Sequence, residues 1–259
     1  MNPGDEPDIK ANAPIEAPVV ATVPRWRAVR RLWRAETFYV IALGAFAVLA
    51  IFAYLDPYFG WDLKISSAFN WTTFTPPGLL ELMRFVSTFG NSLIPYALTV
   101  LVAIIFLLFR RRSEAAGLIL SVLGSAIINS TLKMVISRPR PAVSALVPVY
   151  RNTATQSFPS GHVTFYVCFF GFLFFVAYAL LQRGTFARRL ALAITGSLVL
   201  LVGLSRIYLG AHWPSDTLGA YLWSGVWLMF SLEMYRRWKA RRTFHGEEKA
   251  VSNKPDAQI

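Results

Sequence analysis

Residues 156–181 read QSFPSGHVTFYVCFFGFLFFVAYALL. A short polar turn, closed by His162, stands directly before an uncharged apolar run over 163–181. Crossing the ~30 Å hydrocarbon layer of a bilayer takes about 20 such residues, because an α-helix rises ~1.5 Å per residue. The run is therefore long enough to span a membrane. It also sets a histidine at the height where the helix would meet lipid headgroups.

Five more stretches share this character, at residues 37–55, 93–109, 114–135, 190–204 and 218–235. With 55% hydrophobic and 15% charged residues, the 259-residue chain carries more apolar surface than one soluble core can hide. The expected fold is all-α, an integral membrane bundle of six transmembrane helices. The formal charge of +12 is distributed in a telling way. Arg25, Arg27, Arg30, Arg31 and Arg34 precede the first stretch, and Arg110, Arg111 and Arg112 join the second to the third. Arg183, Arg188 and Arg189 join the fourth to the fifth, and Arg236, Arg237, Lys239, Arg241 and Arg242 follow the sixth. These are alternate connections, so the positive-inside rule puts them and both termini in the cytoplasm. Topology and headgroup contact account for these cations, and no nucleic-acid partner is expected.

Residues 1–24 are rich in Pro, Ala and acidic side chains and read as a disordered cytoplasmic tail; residues 243–259 read likewise. The six-span domain then occupies 25–242, in a cytoplasmic (inner) membrane, with the first span acting as an uncleaved signal anchor. Cys168 is the single cysteine, which excludes an intrachain disulfide and a cysteine metal cluster. Residues 56–91 join the first two spans on the outer side. Within them Leu79, Leu82, Met83, Phe85, Val86 and Phe89 share a helical face, with Glu81, Arg84, Ser87 and Thr88 opposite. That pattern suits an outer-side interfacial helix, or a lid across the bundle end. Gly117, Ser121, Gly124 and Ser125 recur at spacings that let neighbouring helices approach closely.

Three polar clusters on the outer side are left unexplained by topology. KMVISRPRP carries Lys133, Arg138, Arg140 and Pro141; PSGH is Pro159 to His162; SRIYLGAHWPSD carries Ser205, Arg206, His212 and Asp216. Ser160 suits a helix N-cap, leaving the amides around Gly161 and His162 pointing outward at the positive end of a helix dipole. Such an end binds anions, phosphate above all, and glycine allows close approach. Asp216 lies four residues after His212, where a carboxylate can fix one imidazole nitrogen and leave the other as nucleophile. Arg206 offers a planar fork for two phosphoryl oxygens.

In this order and spacing the clusters resemble the signature of the type 2 phosphatidic acid phosphatase superfamily. That signature is Lys, six residues, Arg-Pro; then Pro-Ser-Gly-His; then Ser-Arg, five residues, His, three residues, Asp. Every position is filled here, by Lys133, Arg140 and Pro141, by Pro159 to His162, and by Ser205, Arg206, His212 and Asp216. The resemblance implies a metal-independent membrane phosphatase that uses no cofactor and passes through a phosphohistidine. It gives His212 the attack on phosphorus, Asp216 its orientation and His162 protonation of the departing oxygen. Lys133, Arg140, Ser160, Gly161 and Arg206 then hold the phosphoryl oxygens. One imidazole must be neutral and the other charged at the same pH, so a bell-shaped rate profile is expected.

The expected substrate is a lipid phosphate that enters laterally from the bilayer: undecaprenyl pyrophosphate, phosphatidylglycerophosphate, phosphatidic acid or a lipid A phosphate. The site would face the periplasm or exterior. Two alternatives remain open at this level, a lipid phosphotransferase using the same site and a non-enzymatic anion transporter.

Overall fold

The computed structural model describes residues 25–56, 59–69, 76–141 and 156–252, with side chains at 36–56, 59–69, 76–141 and 156–241. The expected tail over 1–24 lies outside the described residues. Among them every regular element is a helix: α1 Arg25–Leu55, α2 Gly60–Phe69, α3 Leu79–Thr88, α4 Ile94–Leu108, α5 Arg112–Ile136, α6 Gly161–Leu180, α7 Phe186–Tyr208 and α8 Pro214–Ser252. The chain divides into two compact units, residues 1–38 and 39–259. The first carries the beginning of α1, and the second carries the rest of α1 with α2 to α8.

The helix that follows the PSGH turn is the centre of the second unit. α6 is apolar on all sides, and a helix of that kind must be surrounded. It packs against α5, α7 and α8, burying Val163, Phe165, Tyr166, Phe169, Phe170 and Phe172 among others. Its rings interlock, with Phe165–Phe169 centroids 5.1 Å apart and Phe169–Phe170 4.9 Å apart. α5 comes close to α6 and α8 through its small residues, as its sequence suggests. A methyl group on Gly117 would lie 2.8 Å from Phe172 Cζ and 3.0 Å from Tyr235 Cβ, and the Trp227 ring fills the space beside Gly124. Trp227 Nε1 donates to the Ser121 carbonyl at 3.0 Å, and Ser121 Oγ donates to the Cys168 carbonyl at 2.9 Å.

Among the described residues four helices are long and apolar enough to cross a membrane: residues 36–55 of α1, and all of α5, α6 and α7. The other two expected spans correspond to α4, which is apolar but only 15 residues long, and to α8, whose first turn holds Ser215, Asp216 and Thr217. α8 continues to Ser252, so its backbone is helical over 243–252 where the sequence reading set the start of a tail.

The segment between α1 and α4 differs in detail from its sequence pattern. It contains an additional short helix, α2, and α3 packs against α7. Met83 and Val86 are buried, Leu82 is 46% and Phe85 60% exposed, and Ser87 from the polar side is buried. The reason is polar: Ser205 Oγ donates to the Met83 carbonyl at 2.7 Å, and Arg206 NH1 donates to Ser87 Oγ. α3 is rotated to bring carbonyl and hydroxyl acceptors to α7 rather than its widest apolar arc.

Candidate active site

α5 stops where the first cluster begins. Ser137 takes a left-handed conformation (φ 47°, ψ 31°) and its N–H donates to the Lys133 carbonyl at 2.9 Å, while Pro139 and Pro141 lack the N–H a helix would need. Lys133 thus occupies the last turn of α5, with Arg138 and Arg140 in the extended chain beyond it. Lys133 Nζ reaches across to the Gln156 carbonyl at 2.7 Å.

The second cluster starts α6. Ser160 holds the N-cap position in an extended conformation, but its hydroxyl makes no capping bond. That Oγ is buried with no hydrogen-bond partner among the described residues. Its own N–H donates to the Asp216 carbonyl at 3.2 Å, tying the turn to the start of α8. The first-turn amides of α6 lie beside it, unused by the helix. His162 Nε2 is 2.9 Å from Asn91 Oδ1. Its ring lies over Gly90 so closely that any Cβ there would collide with it.

The third cluster is the turn between α7 and α8. Gly210 supplies the positive φ of 63° that reverses the chain, and the amides of Ala211 and His212 donate back to the Arg206 carbonyl at 3.0 and 3.3 Å. Pro214 opens α8, where its missing N–H costs nothing. Arg140 NH1 donates to the Ala211 carbonyl at 3.1 Å. Each of the three cations is therefore bonded to a different neighbouring segment: Lys133 to the 156–157 turn, Arg140 to the 211 turn and Arg206 to α3.

His212 is 2% exposed. Burial, and then the charges of Arg140, Lys133 and Arg206, hold its imidazole well below the ordinary value of 6.5, opposed by a hydrogen bond to the Ser157 backbone. The imidazole is therefore neutral at neutral pH. The same three cations, together with His212, act electrostatically on His162. All eight residues singled out in the sequence, Lys133, Arg140, Ser160, Gly161, His162, Arg206, His212 and Asp216, gather at the ends of α5, α6, α7 and the start of α8.

Beneath His212 lies a network that sequence reasoning missed. Asp216 Oδ2 is 3.4 Å from His212 Nδ1, long for a hydrogen bond, and it accepts from Ser157 Oγ and from the Trp213 amide at 2.9 Å. Ser157 Oγ is itself 3.4 Å from Nδ1. Oδ1 of Asp216 takes a 2.7 Å bond from Arg138 NH1, whose NH2 reaches Asp62 Oδ2 at 2.8 Å. Asp62, from α2, also accepts from the Ser215 amide at 2.9 Å and hydroxyl at 2.5 Å. Arg138 and both carboxylates have fully buried side chains, and the guanidinium lies 4.6 Å from the Phe59 ring centroid. Arg138 stands inside the first cluster, so its charge was visible in the sequence. Asp62 and Ser157 carried no signal by spacing or pattern.

Chemically, the site offers three cations, an open hydroxyl and a helix N-terminus to an oxyanion, a neutral imidazole backed by a carboxylate, and a second imidazole nearby.

Residues 114–240 match the family model described as the PAP2 superfamily. The chain is similar to Phosphatidylglycerophosphatase B of Bacillus subtilis, 30% identical over 148 residues that make up 56% of this chain and 70% of that protein. It is also similar to Lipid A 1-phosphatase of Rhizobium etli, 29% identical over 62% of this chain and 74% of that one. Undecaprenyl-diphosphatase of Sulfolobus acidocaldarius is 24% identical over 74% and 88% respectively. In structure it resembles a crystallised transmembrane PAP2-type phosphatidylglycerolphosphate phosphatase from Bacillus subtilis. The TM-score is 0.64 at 25% sequence identity, over 77% of this chain and 96% of that one.

Proposed function

Because the chain belongs to the PAP2 superfamily, we propose that this membrane enzyme hydrolyses a lipid phosphate monoester or pyrophosphate through a phosphohistidine on His212. Three relatives named for different lipid phosphates support the substrate class. The observation that carries the mechanism is the buried imidazole of His212, with Nδ1 toward Asp216 and Ser157 and three cations within electrostatic reach. With Nδ1 so occupied, Nε2 keeps its lone pair for phosphorus.

In the first step Nε2 forms a bond to phosphorus, the bond to the lipid oxygen breaks, and that oxygen takes a proton from His162. In the second, water attacks phosphorus, its proton passes to His162, and the P–N bond breaks to return inorganic phosphate and free His212. Negative charge on the phosphoryl oxygens throughout is met by Lys133, Arg140, Arg206, Ser160 and the Gly161 amide. Preorganised donors of this kind are worth most where charge develops in the transition state. The six spans would comprise α1, α4, α5, α6, α7 and α8, in an inner membrane with both termini cytoplasmic. The basic connections then lie at one end and the phosphate site at the other, outer end, where a headgroup arrives laterally while its tails stay in the bilayer.

The test is phosphate release in detergent with EDTA, from phosphatidylglycerophosphate, phosphatidic acid, a lipid A phosphate and undecaprenyl pyrophosphate. Rapid alkaline quench with labelled substrate should trap phosphate on the protein. His212→Ala is expected to lose both turnover and label, by at least ~10³-fold. Turnover that EDTA abolishes, or that survives His212→Ala, overturns the mechanism.

A further inference from the structure

Beside the phosphate site a cavity of about 180 Å³ opens between α4, α5 and α6. At ~30 Å³ per water it has room for about six waters, or a small polyol. Its polar lining is Ser92, Tyr96, Ser125, Asn129, Ser130 and Thr164, and among the described residues no Lys, Arg, His, Asp or Glu side chain lines it. Gly90 and Gly161 form its edge toward His162, the glycines that respectively underlie the His162 ring and precede it in the chain.

Asn129 is the directed element of this cavity. It is only 7% exposed, and Thr164 Oγ1 donates to its Oδ1 at 3.1 Å. That bond turns Nδ2 toward Gly161, where an added methyl would lie 3.4 Å from Nδ2 and 4.0 Å from Lys133 Cε. Lys133 is one helical turn beyond Asn129, on the same face of α5. A phosphoryl group at the head of α6 is thus flanked by Lys133 on one side and by an amide donor, leading into the cavity, on the other.

We propose that this cavity is the leaving-group subsite, shaped for an uncharged hydroxyl-bearing head such as a glycerol or sugar unit, with Asn129 Nδ2 as its hydrogen-bond donor. The inference rests on the hydrolase reading above and narrows its substrate class. A pyrophosphate leaves as an anionic phosphate monoester, and burying that charge without a cation is costly. Phosphatidylglycerophosphate leaves as phosphatidylglycerol, whose phosphodiester charge stands a glycerol unit away from the departing oxygen, so only an uncharged glycerol with its hydroxyl need enter the cavity and meet the serine and threonine lining.

Three lipids separate these cases: phosphatidylglycerophosphate, with a free hydroxyl beside its phosphate; phosphatidic acid, with the same phosphate and no free hydroxyl; and undecaprenyl pyrophosphate. The wild-type enzyme should prefer the first by about 10-fold or more in kcat/KM, the worth of roughly one neutral hydrogen bond. Asn129→Leu, and Asn129→Asp, which keeps an acceptor for Thr164 but removes the donor, should each lower the first by about 10-fold and flatten the ratio. The Asp variant stands if the Leu variant does not fold. A wild-type preference for the pyrophosphate, or variants that slow all three lipids equally, overturns the subsite. No hydrolysis of any lipid by the wild type overturns the parent reading as well, which keeps the two failures distinct.

Discussion

Two carboxylates, one near each end of the bundle, are equally hidden and differently held. Glu114, at the start of α5, is 3% exposed and accepts from Lys239 Nζ at 3.0 Å and Tyr235 Oη at 3.2 Å. Its cationic partners reach solvent: Lys239 is 39% and Arg111 50% exposed by side chain. Asp216, at the other end, has no such outlet, since Arg138, Ser157 and Trp213 around it are all buried. Water can replace a lost partner of Glu114 but not one of Asp216. The first arrangement is therefore a local clasp between α5 and α8, and the second is a fixed charge structure whose members depend on one another.

Breaking the inner network at its hub should have the largest effect. Arg138→Ala would leave Asp62 and Asp216 as unpaired buried carboxylates, a cost of about 3–5 kcal/mol in unfolding free energy. Thermal melts in detergent would read it, alongside near-total loss of turnover. Asp62→Asn keeps the shape and removes one charge. It is expected to cost about 1–3 kcal/mol and to lower kcat more than it raises KM, because it acts through the orientation of Asp216. A stable, fully active Asp62→Asn protein would break the contrast.

A pH profile sharpens it further. Burial and three cations lower the affinity of the His212 imidazole for a proton, so that ring resists protonation as the pH falls past 6.5. The acid limb of kcat/KM should therefore lie below pH 6.5. Arg140→Gln removes a repelling charge and should move that limb upward. An acid limb already above 6.5 in the wild type would contradict the electrostatics. The smallest effect belongs to the opposite end. Arg237→Ala, whose ion pair with Glu233 is exposed on both sides, should change stability by about 0–1 kcal/mol or less.

The three clusters were legible because charged groups at the ends of apolar runs stand out where topology does not require them. Their convergence could be expected from a shared membrane side, yet what supports them could not. Asp62 meets Arg138 across 76 positions and Ser215 across 153, and nothing in the local sequence WDLK encodes such partners. α2 carries no strong apolar period of its own, and Asp62 is its one buried residue. Ser160 was placed at its N-cap correctly, but the sequence could not tell that its hydroxyl would make no capping bond. For α3 the apolar period gave the helix, while the acceptors offered to Ser205 and Arg206 decided which side faces α7.

The anchoring of Lys133, Arg140 and Arg206 has a consequence outside catalysis. Held within electrostatic reach of one imidazole, they repel one another. Any tetrahedral oxyanion that enters relieves the strain of like charges, whether or not it can react. The thermal endurance of the purified protein should accordingly follow the phosphate or sulfate content of its buffer, by about 2.7 kcal/mol at a hundred times the dissociation constant. Inorganic phosphate, the end product, would then act as both brake and preservative.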